Sequence, residues 1–203
     1  MPTSALRREL VLASGNRGKL RELQSSLEPL GWLVSSQGDN AVPEVEETGH
    51  TFVENALIKA RNASAFTNKP ALADDSGLEV DALQGRPGIY SARFAGPLAT
   101  DADNNEKLLA ELSGIDPPHR TARFHCVLVW VRFALDPVPL ICSAAWEGII
   151  LESPRGEQGF GYDPLFLPTG SDLTSAQMPS AIKNRQSHRG QAMASLVAAL
   201  SAE

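Results

Sequence analysis

The chain has 203 residues, 42% of them hydrophobic and 21% charged, the balance of a soluble globular protein of one large domain or two lobes around one core. Its formal net charge is −6 and it carries no basic tail or run of Lys and Arg, which argues against a nucleic-acid polymer as partner but leaves room for a small anion held by local donors. No apolar run reaches the ~20 residues that span a bilayer, residues 1–10 hold no signal-like apolar core, and Cys126 and Cys142 lack CxxC spacing and read as buried, reduced thiols, so a cytoplasmic protein without a membrane partner is expected.

Taken in order, residues 9–13 (ELVLA) predict a short buried strand. The glycine-punctuated turn SGNRGK follows at 14–19. Leu20, Leu23 and Leu27 then recur at helical spacing until Pro29 and Gly31 stop the helix. A strand–loop–helix opening points to an α/β protein. Residues 39–49 are acidic and irregular. Thr51 and Glu54 have the spacing of a capping box for a helix reaching about Phe66, with Phe52, Ala56, Ala60 and Ala63 near one face. Residues 70–73 form an apolar approach, read as a strand whose mouth holds Asp74, Asp75, Ser76 and Gly77. A second β-like piece covers 78–83, and 85–88 (GRPG) is a turn. Thr100 and Asp103 open another helix, with Leu108, Leu109 and Leu112 inward and Gly114 at its end. Residues 122–133 predict a central strand, which Asp136 and Pro137 turn back into 140–146 as a hairpin. Residues 156–168 read as a Gly/Pro/aromatic loop. Residues 187–200 read as a helix with Met193, Leu196, Val197 and Leu200 facing inward.

Several stretches could carry chemistry. A glycine-bearing turn between strand and helix presents backbone N–H groups and a helix N-terminus to an anion. In the turn at 14–19 Lys19 would add a charge, and Ser14 and Asn16 further donors. The spacing is not that of a Walker loop, since Gly15 and Gly18 are too close and Leu20 stands where Ser or Thr is required. The plain alternative is an ordinary βα turn with an exposed lysine. Asp74 and Asp75 repel one another, and a hard divalent cation would resolve that, because Mg²⁺ takes one or two carboxylates plus phosphates and waters; a surface turn is the alternative. Glu46 and Glu47 raise the same question more weakly. The loop GFGYDP at 159–164 offers aromatic faces for a flat base beside glycines that permit close approach, or simply packs its rings. Lys183 with Ser187, His188 and Arg189 forms a donor cluster that suits a carbonyl or phosphate oxygen, or a capped helix start. His50, His119 and His125 show no metal-ligand spacing, and neither a Ser-His-Asp arrangement nor a zinc site is suggested.

Seven stretches in order, SGNRGK (14–19), EETG (46–49), FVENA (52–56), ADDSG (73–77), PGIYSAR (87–93), GFGYDP (159–164) and SHR (187–189), together resemble the inosine triphosphate pyrophosphatases of the Ham1/RdgB type, over nearly the whole chain. The resemblance implies an α/β fold over residues 1–203, elongated and two-lobed, with a long mixed central sheet flanked by helices and an active-site cleft between the lobes. It implies a homodimer and Mg²⁺-dependent hydrolysis, with water, of non-canonical purine nucleoside triphosphates (dITP, ITP, XTP) to monophosphate and pyrophosphate. On this likeness Ser14, Gly15, Asn16, Arg17, Gly18 and Lys19 hold the triphosphate. Glu46 and Asp75 lie at the metal with Asp74 nearby, Asp75 is the general base, and Ser76 contacts substrate. Phe160, Gly161, Tyr162, Asp163, Lys183, His188 and Arg189 line the base pocket. Ser14 stands where Thr is common in the family, and Gln177, Ser180 and Ala181 replace a usually acidic stretch before Lys183, which leaves the conformation of 170–182 open. The competing expectations are a Maf-like nucleotide pyrophosphatase with another base preference and a nucleotide-binding sensor that does not hydrolyse.

Overall fold

The computed structural model describes residues 8–201; residues 1–7, on which most of the N-terminal reading rests, lie outside them. Leu10, Val11 and Leu12 are buried in β1 (Arg8–Leu12), as their continuous apolar run requires. Helix α1 (Arg17–Leu27) follows, burying Leu23 and Leu27, and decays through a 3-10 turn at Glu28–Leu30. Gly31, at φ +80°, supplies the left-handed residue that turns the chain into β2 (Trp32–Ser36). This strand was not anticipated: five mixed residues offer too little alternation to read. It runs parallel to β1, Arg8 opposite Trp32.

Helix α2 (Phe52–Thr67) buries Ala56, Ala60 and Ala63 completely. Alanines at that spacing let the helix backbone approach Val11, Ala71 and Ala73 of the sheet closely. Thr51 caps it by accepting the Glu54 N–H at 3.3 Å. The Glu54 carboxylate returns to the N–H of His50, at 2.9 Å, one residue before the position a full capping box would use. Asn68, left-handed at φ +54°, ends the helix.

Strand β3 (Ala71–Val80) corrects the expectation of two pieces around a polar mouth: Asp74, Asp75, Ser76 and Gly77 lie inside one ten-residue strand. The strand need not break at the acids because each finds its own lysine, as described below. A 3-10 turn at Asp81–Leu83 takes up the rest of the segment expected as β. Helix α3 (Asp101–Glu111) has the complete Thr100/Asp103 capping box, buries Leu108 and Leu112 against neighbours that include Leu109, and is followed by Gly114 at φ +79°. Strands β4 (Thr121–Val131) and β5 (Leu140–Ile150) are neighbours joined by the expected Asp136-Pro137 turn.

The loop reading of 156–168 also needs correction. Phe166–Pro168 is a short edge strand, β6, antiparallel to β5 with Ile149 opposite Leu167. Gly148 makes that pairing possible, since a Cβ there would lie 2.5 Å from the Leu167 carbonyl oxygen and 2.7 Å from the Phe166 ring. Two helices close the chain, α4 (Ser180–Gln186), which was not foreseen, and α5 (His188–Ser201). In α5 Leu196 and Leu200 are buried as expected, Ala192 joins them, and Met193 and Val197 are half-buried.

The six strands form one sheet in the order β2-β1-β3-β4-β5-β6, parallel at β2-β1-β3 and antiparallel at β5-β6. The expected α/β architecture with a mixed central sheet and flanking helices is therefore present. The chain divides into two compact units. Among the described residues the first comprises 8–75, Val127–Cys142 and 192–201; its core gathers Val11, Val42, Val129, Val131 and the alanines of α2 and β3. The second comprises Ser76–Cys126 and Ser143–Gln191, around Leu78, Leu108, Phe124, Trp146, Tyr162 and Phe166.

Candidate active site

In the first unit the turn after β1 is held by its own side chains. Asn16 is the N-cap of α1: its Oδ1 accepts the N–H of Gly18 at 2.8 Å and of Lys19 at 3.1 Å. Ser14 Oγ accepts the Asn16 N–H at 3.2 Å. Among the described residues the N–H groups of Gly15 and Arg17 meet no protein acceptor, and they sit where the helix dipole favours an anion. The turn offers those two amides, the hydroxyl of Ser14 and the ammonium of Lys19.

Lys19 is not free. Its Nζ lies 2.5 Å from Oδ2 of Asp74, which is buried. Asp74 thus ties the phosphate turn to β3. Its neighbour Asp75, pointing the other way by the alternation of a strand, meets Lys59 of α2 at 3.3 Å. Lys59 also binds Glu47 at 2.9 Å. Burial pushes the Asp75 carboxyl above the ordinary aspartate range; the Lys59 charge opposes this and Glu47 adds to it. For Lys59 burial acts downward, but Asp75, Glu47 and Asp74 together outweigh it and raise its pKa. Asn55 is fully buried and accepts the Gly49 N–H at 2.8 Å, anchoring the end of the acidic loop. A side chain at Gly49 would not fit, since its Cβ would lie 2.6 Å from Cβ of Glu54.

Oδ2 of Asp75 is buried and makes no hydrogen bond of good geometry; the Asn55 side chain is near enough to lower the carboxyl's pKa, but its Nδ2 is itself unpaired. A buried carboxylate oxygen left open is costly unless something else binds it. This is the donor chemistry that suits Mg²⁺, which takes one or two protein carboxylates and completes its shell with water and phosphate. A metal caged by protein alone fits less well, as no cluster of three or more His, Cys, Asp or Glu side chains poised for a metal occurs among the described residues. Glu46 is exposed, and it is Glu47 that stands in the charge cluster with Asp75. Lys59 was missed in the sequence, although a signal existed: it is a cation on the face of the buried alanines of α2, at i+3 from Ala56 and i−4 from Ala63.

The second unit holds the aromatic loop and the donor cluster. Ser76, the first residue of this unit, is half-buried in β3. Phe160 is exposed, its ring beneath the Lys183 ammonium at 5.7 Å. Tyr162, expected beside it in the base pocket, is in the core instead, with its OH donating to the Ser91 carbonyl at 2.8 Å. Burial, with Asp101 nearby, raises its phenol pKa well above the usual value. Asp163 is buried too and acts as a hub: it accepts the Phe160 N–H at 2.9 Å, the Ser175 hydroxyl at 2.6 Å and the Lys183 ammonium. Gly159, at φ +84°, permits this closeness, since a Cβ there would collide with the Asp163 carboxylate. Ser187 caps α5 through the Gly190 N–H at 3.2 Å. His188 stacks on Phe124 at 4.9 Å and on Trp146 at 6.4 Å. Arg189 is half-buried beside it in sequence. Of the loop residues assigned to a base, Phe160 alone presents its side chain to solvent, while Tyr162 packs into the core and Asp163 binds the Phe160 backbone.

Residues 10–199 match the Ham1 family. A dITP/XTP pyrophosphatase of Methylococcus capsulatus is 56% identical over 197 residues, 97% of this chain and 98% of its own length. One from Photobacterium profundum is 57% identical over 192 residues, 95% of this chain and 98% of its own. The solved structure of a HAM1 protein from Coxiella burnetii is 48% identical and superposes with a TM-score of 0.94, covering 97% of this chain and 100% of that one. Likeness of this depth, in sequence and in fold and from one end to the other, means that the chain belongs to the Ham1 family.

Proposed function

We propose that this chain hydrolyses dITP, ITP and XTP to the nucleoside monophosphate and pyrophosphate, as a cytoplasmic homodimer that requires Mg²⁺. The observation that carries the proposal is the open, buried Oδ2 of Asp75 within a cluster of three acids and two lysines on β3 and the elements beside it. Relatives more than half identical bear the name dITP/XTP pyrophosphatase, which supports the same reaction here. No helix among the described residues is long and apolar enough to cross a membrane, in keeping with a substrate met in water.

The residues divide the work. Ser14, Gly15, Asn16, Arg17, Gly18 and Lys19 would hold the triphosphate through amides, hydroxyl and ammonium. Asp75, with an acid of the Glu46–Glu47 pair and Asp74 behind it, would hold Mg²⁺, which when bound neutralises phosphate charge. Asp75, its pKa lifted by burial, takes a proton from water whose oxygen attacks the α-phosphorus. The bond to the bridging oxygen breaks and pyrophosphate leaves, with Lys19 stabilising its charge. Ser76 would contact the substrate. Phe160 would stack on the purine, and His188, Arg189 and Lys183 would present donors to the carbonyl at position 6. Adenine carries an amino group there, so donor would face donor and buried groups would go unpaired.

Pyrophosphate release from ITP, dITP and ATP, with and without Mg²⁺, tests this. Release from ITP and dITP that vanishes on chelation, with efficiency on ATP lower by two or more orders of magnitude (~10²–10⁴), is the expected result. Equal efficiency on ITP and ATP would end the base assignment, and undiminished turnover without divalent metal would end the metal assignment.

A further inference from the structure

The segment 159–163 carries an exposed ring on a backbone that should not hold it still. Phe160 stands between Gly159 at φ +84° and Gly161 at φ +61°, and glycine surrenders more conformational freedom on ordering than any other residue. Within the segment, Asp163 accepts the Phe160 N–H and its own N–H donates to the Phe160 carbonyl at 3.3 Å, but neither contact reaches Gly161. The restraint on Gly161 comes from elsewhere in the fold. Asp101, in the first turn of α3, accepts the Gly161 N–H through Oδ2 at 2.6 Å. Asn105, one turn later, donates its Nδ2 to the Gly161 carbonyl at 2.8 Å and to the Asp101 carbonyl at 2.7 Å. Two side chains four residues apart on one helix face thus grip both polar groups of one glycine.

We propose that Asp101 and Asn105 are positioning residues that clamp the Gly161 peptide and so fix the Phe160 ring as a stacking platform for the purine. The proposal rests on the pyrophosphatase reading for its ligand, but the clamp itself is a property of the second unit. Neither residue lies in any of the seven stretches that identify the family, and neither carries chemistry to the phosphates. The clamp sets affinity rather than discrimination, because an aromatic face stacks on any base. Loosening it lowers the fraction of protein with the ring in place, which raises KM for every purine triphosphate alike and leaves the phosphate chemistry as it was.

Asn105→Ala is therefore expected to raise KM for dITP and for XTP about tenfold, with kcat within about twofold. Asp101→Asn, which keeps an oxygen for the Gly161 N–H, is expected to stay near wild type, whereas Asp101→Ala follows Asn105→Ala. A residue that merely supported folding would lower the active fraction, and hence apparent kcat, at unchanged KM. Amide hydrogen exchange at Phe160 and Gly161 is read in parallel on the same proteins without nucleotide; it is expected to speed up at least severalfold in Asn105→Ala and Asp101→Ala. Unchanged exchange in both alanine variants would overturn the clamp. Faster exchange with unchanged KM would overturn its role in binding. A wild-type protein inactive on dITP would instead refute the pyrophosphatase reading, and exchange would still decide the clamp.

Discussion

Adjacent aspartates on one strand meet opposite fates. Asp74 is closed: Lys19 sits 2.5 Å from it and the pair is part of the frame. Asp75 is held open, with one oxygen on Lys59 and the other without a hydrogen bond of good geometry. Strand alternation accounts for the difference, since consecutive side chains leave on opposite faces and meet different helices. Asp75→Asn keeps the size of the side chain and removes its basicity. Turnover of dITP should fall by about 10²–10⁴-fold, while the thermal midpoint holds or rises, because a partly uncompensated buried charge is gone. Steady-state pyrophosphate release and a melting curve on the same sample check both. Asp74 and Asp75 were readable in the sequence as an oddity. Lys59 was hidden, because a lysine on a helix is ordinarily a solvated residue and its partners lie sixteen residues away on β3 and twelve residues back in an irregular loop.

At the level of elements, the phosphate turn is shaped by the cap of α1. Asn16 satisfies two of the amides that open the helix, and the acidic loop is pinned in the same way by Asn55 at Gly49. Both asparagines act as struts between a loop and the helix it meets. Asn16→Ala should cost about 1 kcal/mol of stability, the usual worth of an N-cap, seen as a lower denaturant midpoint at unchanged slope. Helices α1, α2, α3 and α5 were legible because caps, periodicity and stop residues agree locally. Strand β3 was misjudged because two charges in a row resemble a turn; their lysines come from other elements, and only those contacts let the strand run on. Strands β2 and β6 escaped notice because five and three residues carry no period, and their pairing is decided by what lies beside them.

For the molecule as a whole, acid stability should reflect the turn between β4 and β5. Asp136 is wholly buried and accepts Arg132 Nε at 2.8 Å together with the N–H groups of Arg132 and Val138 at 3.1 and 3.0 Å. The Arg132 guanidinium holds its carboxyl far below the usual aspartate range. A depressed folded pKa means stability that is complete above the unfolded value of about 4 and is lost as pH falls below it toward the folded one. Asp136→Asn should therefore be less stable than wild type by about 1–2 kcal/mol at pH 7, solvent screening at the half-exposed Arg132 keeping the figure modest. The difference should begin to narrow below about pH 4, which denaturant titrations at pH 7 and pH 3.5 would measure. The amino-acid sequence alone determined the α/β class, the order of most elements and the residues from which the phosphate turn, the acid pair and the aromatic loop are made, because caps, glycines and apolar spacing act over a few residues. Tertiary structure decided which acid is closed and which is open, that Tyr162 packs inward while Phe160 faces out, and which residues of α3 hold that loop. Those outcomes depend on partners distant in the chain, and burial and charge pairing between distant residues exist only once the fold has brought them together.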